Sequence, residues 1–186
     1  VCRQEKVMTM SEPLNIVYLH AHDAGRMVSP YGYNTPTPNL QHFAEEAITF
    51  RQAFSAAPSC SPSRAALLTG EYPHCCGMHG LASAYFGFPL RDPSRHLSHF
   101  LKGQGYETAL AGMQHEVQGP LVEREALSYE HWLNHDGRGR PIDVQTVGAA
   151  LGFIERPHDR PFFLSCGFNA PHRDNGNDGR RHSPDG

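Results

Sequence analysis

Apolar and polar positions follow two rhythms along this chain, one of short buried runs and one of helical spacing. Residues 14–20, LNIVYLH, lie between Pro13 and the polar AHDAGR and predict a buried strand that ends in a loop. In NLQHFAEEAITF, 39–50, apolar side chains fall at Leu40, Phe43, Ala44, Ala47 and Ile48, a helical pattern with Asn39 placed as N-cap. SPSRAALLTG, 61–70, predicts a helix with Ser61 as cap, Pro62 at the first helical position and Gly70 as the stop. HLSHFLKGQG, 96–105, predicts a helix that passes through Gly105 into a strand, YETALAG, at 106–112. DVQTVGAALGFIER, 143–156, predicts an amphipathic helix ended by Pro157, and PFFLSCGF, 161–168, a central strand running into NAPHRD. The segment 113–142 carries no clear period, and DGRGRP at 136–141 reads as a turn-rich loop.

Strands alternating with helices imply an α/β layer fold with a largely parallel sheet. Ligands of such sheets gather at the carboxyl ends of the strands. The residues that follow predicted strand ends here are His22, Asp23, His115 and His172.

Composition narrows the picture. A chain of 186 residues with 39% hydrophobic and 10% aromatic side chains can bury a core. A formal charge of −3, with no block of Lys or Arg, argues against a nucleic-acid surface. No apolar run is long enough for a membrane span. The opening VCRQEKVMTMSEP starts with Val and lacks the apolar core of a secretory signal, so residues 1–13 are expected to be a disordered or non-native leader. The polar close, NAPHRDNGNDGRRHSPDG, suggests that the chain is cut at both ends. The compartment is left open between cytoplasm and periplasm. The 13 histidines direct attention to metal or acid–base chemistry, whereas the five cysteines form no disulfide framework. His74, Cys75, Cys76 and His79 lack the ligand spacing of a zinc site, because vicinal thiolates do not readily occupy two tetrahedral positions.

Cys60 opens the segment CSPSR. A phosphatase-type cysteine needs an arginine six positions on, where Ala66 stands, and a redox pair needs a cysteine at Ser63. A plain buried cysteine remains one reading. The other is a side chain at a helix start, where free N–H groups and the helix dipole favour a tetrahedral anion.

Cys60-Ser61-Pro62-Ser63-Arg64, extended by AALLTG, resembles the type I sulfatase signature Cys-x-Pro-x-Arg, at which the cysteine is oxidised to formylglycine. LNIVYLHAHDAGR resembles the first strand and metal loop of that family, and GYETALAGMQHEVQGP and PFFLSCGFNAPHRD resemble segments carrying its catalytic histidines. The likeness is nearest to the heparan N-sulfatase (sulfamidase) group and runs from residue 14 to about 174. It implies an alkaline-phosphatase-like fold, a mostly parallel sheet flanked by helices, with 14–186 as the N-terminal portion of a sulfatase catalytic domain truncated at its C-terminus.

The resemblance also implies a mechanism. The aldehyde made from Cys60 hydrates to a gem-diol; one hydroxyl attacks sulfur and the other, once deprotonated, expels sulfate. Arg64 hydrogen-bonds the diol or the sulfate. Ser61 and Ser63 cap the helix and assist recognition by the formylglycine-generating enzyme. His115 hydrogen-bonds the diol or acts as general base, and His172 protonates the leaving group or binds sulfate. A lone histidine is more often a hydrogen-bonded structural residue, but the placement of these two after separate strand ends favours the functional reading. A divalent cation, calcium by family expectation with magnesium, manganese or zinc as alternatives, is held by Asp23, His22 and Cys60. His22 replaces the first of two adjacent aspartates, and Met113 replaces a lysine. Asp23 could instead cap a turn. A second Asp–Asn pair is expected beyond this chain, and Asp174-Asn175-Gly176 is read as a turn. The implied partner is a sulfated carbohydrate or another sulfate ester. The alternatives are a phosphonate or phosphate monoester hydrolase of the same superfamily, or a catalytically incompetent fragment or binding remnant.

Overall fold

The computed structural model describes residues 13–82, 87–117, 124, 126–134 and 142–172. The expected leader up to residue 12, the DGRGRP loop and the turn at 174–176 lie outside the described residues. The order is β1 (Ile16–His20), α1 (Pro38–Glu46), α2 (Cys60–Thr69), α3 (Pro73–Cys76), α4 (Leu97–Gly103), β2 (Glu107–Gly112), β3 (His131–Trp132), α5 (Asp143–Glu155) and β4 (Phe162–Gly167).

Two helix starts differ from expectation. In α1 the residue at the cap is Thr37 and the helix opens on Pro38, whose fixed φ and missing N–H suit the first helical position. In α2 the cap is Ser59, in extended conformation, so Cys60 is itself the first helical residue. Ser61 lies inside the first turn, where its Oγ accepts a hydrogen bond from the Ala82 N–H at 3.0 Å. Ser63 Oγ pairs with Ser55 Oγ at 2.7 Å, tying the preceding loop to the helix. Gly70 closes α2 in the left-handed region (φ 69°), with its N–H on the Ala66 carbonyl.

Among the described residues the strands form one parallel sheet in the order β1-β4-β2-β3. Every residue of β2 and β4 is buried, as expected for strands covered on both faces. Leu110 and Phe163 point to one face and pack with Ala65 of α2, Leu101 of α4, Met78, Leu90 and Tyr129. Ala109, Ala111, Leu164 and Cys166 point to the other and pack with Ala150 and Phe153 of α5. Contrary to the buried strand expected at 14–20, β1 is largely exposed, with Leu19 at 64%, because it lies at the edge of the sheet among the described residues. No helix among the described residues is long and apolar enough to cross a membrane.

The strands end level with one another, since Gly167 pairs with both His20 and Gly112. Two glycines make this approach possible. A Cβ on Gly112, at φ 76°, would lie 2.1 Å from the Gly167 carbonyl oxygen, and one on Gly167 would lie 2.0 Å from the Met113 carbonyl oxygen. The carboxyl ends of β1, β2 and β4 therefore deliver three loops to one small region.

Candidate active site

His20, the last residue of β1, stacks on Tyr18 with ring centroids 4.7 Å apart, as side chains two apart on a strand share a face. Its Nδ1 meets Nη1 of Arg64, which lies one helical turn beyond Cys60 on α2. Burial, reinforced by the Arg64 charge and by His22 and His115, pushes the His20 pKa down to about 3. The imidazole is therefore neutral, and a lone pair on Nδ1 can accept from the guanidinium.

His22 is 1% exposed. Its Nδ1 lies 3.1 Å from Asp23 Oδ1, yet neither ring nitrogen has a directed hydrogen-bond partner. Burial lowers its pKa against the opposing pull of Asp23, so the ring is held in the neutral form, which can donate a lone pair. Nε2 is thus left without a partner in a buried place and Nδ1 has only the Asp23 carboxylate beside it, a costly arrangement unless a ligand completes it.

Two further histidines flank this ring. His115 packs edge-on to it at 5.1 Å, and His172 does so at 4.3 Å. His172 Nε2 is also 3.8 Å from Asp23 Oδ2. His22, Cys60 and His115 offer donor atoms within 4.8 Å of one another, and so do His22, Asp23 and His172. His22 belongs to both groups. Asp23 (φ 58°) and His115 (φ 83°) adopt left-handed backbone conformations, which are uncommon outside glycine although Asp and His enter them more readily than most, and which recur at functional sites.

The loops are fastened to each other and to the scaffold. The His22 N–H donates to the Ala170 carbonyl at 3.1 Å and the Phe168 N–H to His20 at 3.0 Å. Asp143, at the start of α5, accepts from the N–H groups of Asn169 (2.6 Å) and Ala170 (2.8 Å), and thereby holds the loop that carries His172. Gln114 folds the His115 loop by accepting from Glu116 and Val117 and donating to the Val117 carbonyl. Asn134 links the end of β2 to Thr146 of α5.

A cavity of about 620 Å³ opens over these groups, lined by His20, His22, Asp23, Cys60, Ser63 and Arg64 among others. Cys60 is partly buried in its wall, at the head of a helix, the end whose free N–H groups favour a negative charge. All six residues singled out in the sequence thus meet at one end of the sheet. Met113, by contrast, is buried, with its N–H on the Gly167 carbonyl at 2.9 Å. Cys76 is also buried, its thiol toward the Pro73 carbonyl, and none of His74, Cys75, Cys76 and His79 joins a metal-capable group among the described residues.

His20 and Asp143 were not foreseen. His20 is hidden in an apolar strand run, although its spacing of two from Tyr18 and His22 is a signal of a shared face. Asp143 reads as an ordinary first-turn acid of a helix.

The sulfatase family profile matches residues 14–182. N-sulphoglucosamine sulphohydrolase from Homo sapiens is 34% identical over 164 residues, covering 88% of this chain and 32% of that protein. A solved structure in complex with its substrate D-glucosamine-2-N,6-O-disulfate is 25% identical, with a TM-score of 0.67, covering 86% of this chain and 35% of that chain. A chain from Bacteroides thetaiotaomicron solved as a candidate sulfatase superposes with a TM-score of 0.71 at 24% identity, covering 87% and 36%, a likeness of fold. The architecture is the alkaline-phosphatase-like fold, present in part. The chain spans about a third of the length of the human relative that it matches.

Proposed function

Because this chain belongs to the sulfatase family, we propose that the whole protein hydrolyses a sulfate ester or sulfamate on an amino sugar, using a formylglycine derived from Cys60 and a divalent cation. The observation that carries this reading is the placement of Cys60 in the cavity wall at the head of α2, with Arg64 one turn below it and within hydrogen-bond reach of His20.

Hydrolysis at sulfur needs a nucleophile, neutralisation of the sulfate oxygens and control of one proton. A Cys60-derived aldehyde, once hydrated, would supply the nucleophilic hydroxyl, with a second hydroxyl on the same carbon whose deprotonation would let sulfate leave. A bound cation would supply Lewis-acid polarisation of the sulfate oxygens. The contact of Arg64 with His20 restrains the guanidinium in the cavity lining, where its planar fork suits sulfate oxygens. His115 shares a donor cluster with Cys60, within 4.8 Å of it, and would serve as the base for a group built on that side chain. Asp23 and the neutral His22 fit a cation beside it. The N-terminal donors of α2 add their partial positive charge where a sulfate would enter.

An N-sulfated glucosamine is the favoured substrate. The name of the human relative and the disulfated glucosamine bound in the solved structure support that class. The full-length protein is expected to release sulfate from N-sulfoglucosamine faster than from glucosamine 6-sulfate. Equal or inverted rates would remove the N-sulfate assignment. Phosphonate ester hydrolysis is the second reading, favoured by one observation: buried Met113 occupies the position at which the resemblance implies a sulfate-binding lysine. Turnover of an aryl phosphonate ester above that of the matching aryl sulfate would select it.

A further inference from the structure

We propose that His22, Asp23 and His172 form an imidazole-rich metal site that selects a first-row transition dication of the zinc or manganese kind over calcium. This rests on the metal-dependent reading above and goes beyond it in two respects. It names the chemical class of the ion, and it assigns to the metal the histidine that the sequence motif assigns to the leaving group.

The donor set carries the argument. Calcium takes about six to eight oxygen ligands, and magnesium likewise prefers oxygen. Among the described residues this region offers one carboxylate and two imidazoles in a single group. Imidazole shifts preference toward manganese, iron, zinc and their neighbours. His22 is the strongest indication, because it is 1% exposed and both of its ring nitrogens are buried without a directed hydrogen bond. A ring kept only for packing would leave Nε2 desolvated with no partner and Nδ1 with no more than the Asp23 carboxylate beside it. A ring that ligates places one lone pair on the ion.

Distances agree. Ligand bonds of about 2.0–2.2 Å place neighbouring donors about 3–3.5 Å apart. His22 Nδ1 is 3.1 Å from Asp23 Oδ1, and His172 Nε2 is 3.8 Å from Asp23 Oδ2. The ligands are also pre-positioned. The His22 backbone is bonded to Ala170, Asp143 grips Asn169 and Ala170, and the His172 N–H donates to the Asn169 carbonyl at 2.9 Å. Such outer hydrogen bonds orient ligands and tune affinity. His172 is thereby a neighbour of Asp23 and His22 first.

The test uses the full-length protein, stripped of metal and titrated with cobalt(II) as a spectroscopic probe, then challenged with zinc or calcium. Visible absorption bands of a nitrogen-ligated cobalt centre are expected, displaced by about one equivalent of zinc and retained in about a hundredfold excess of calcium. His172→Gln should weaken cobalt binding about 10- to 100-fold. His22→Asp should shift preference toward calcium by at least about tenfold. Displacement of cobalt by equimolar calcium, or unchanged cobalt affinity in folded His172→Gln, would overturn the assignment. His172 is only partly buried, so that variant tests the site even if His22→Asp misfolds. Calcium preference in a protein that still releases sulfate defeats this inference alone, whereas transition-metal binding without sulfate release defeats the reading on which it rests.

Discussion

Arg64 and His20, 44 positions apart, meet at the cavity floor through a hydrogen bond between the guanidinium Nη1 and the imidazole Nδ1. The imidazole in turn stacks on Tyr18. The sulfate-binding cation expected from the helix is thus steadied by the end of the first strand.

His20→Phe keeps the stacking and removes the acceptor. We expect kcat/KM to fall by up to about a hundredfold, because a small misplacement of a substrate-binding group carries that penalty. Stability should fall by about 1–3 kcal/mol as the buried guanidinium loses a partner. His20→Gln, which restores an acceptor, should recover part of both. Steady-state kinetics with urea unfolding measures the pair; wild-type kinetics in His20→Phe would deny His20 a positioning role.

Acid lability should come in part from His96. This ring is fully buried, its Nδ1 accepts from the Ser98 N–H at the start of α4, and its Nε2 has no partner. Burial, with a smaller push from His99, lowers its pKa from 6.5 to about 4. The unfolded chain takes up the proton first, so this contribution is complete above about pH 6.5 and is lost as pH falls toward 4. The slope for one proton is about 1.4 kcal/mol per pH unit. His96→Asn, which retains a capping acceptor, should flatten that limb in denaturation curves taken across the window.

Asp143 acts at a distance through the His172 loop. Asp143→Ala should leave two backbone donors without their acceptor and weaken metal affinity about tenfold, as loss of an outer-shell partner does. Isothermal titration of the stripped protein reads this directly. Asp143→Asn, which keeps one oxygen acceptor, should fall between the two.

Gly112→Ala should fail to fold. Its Cβ would sit 2.1 Å from the Gly167 carbonyl oxygen and 2.8 Å from Thr146, at a positive φ. Soluble, cooperatively unfolding Gly112→Ala would contradict the level strand ends on which the site depends.

Local signals explain what was legible in the residues. β2, β4 and α5 are runs of one period, each bounded by Gly or Pro, and they appear within a residue or two of expectation. Cys60 and Arg64 were legible because their relation is one turn of one helix. β3 has only two residues and α3 only four, too few to show a period. Two helix starts are less legible, because Thr37 and Ser59 take the cap positions for which Asn39 and Ser61 are equally suited by residue type. The contacts of Asp143 with Asn169 and of His20 with Arg64 span the fold, and only the packing of strand ends brings them together.

The most direct measurement is the mass of the peptide containing Cys60, taken from full-length protein produced together with a formylglycine-generating enzyme and compared with Cys60→Ala. The account predicts that Cys60 is converted to the aldehyde, that sulfate release scales with the converted fraction, and that Cys60→Ala releases none above background. Sulfate release by protein whose Cys60 remains wholly a thiol would contradict it.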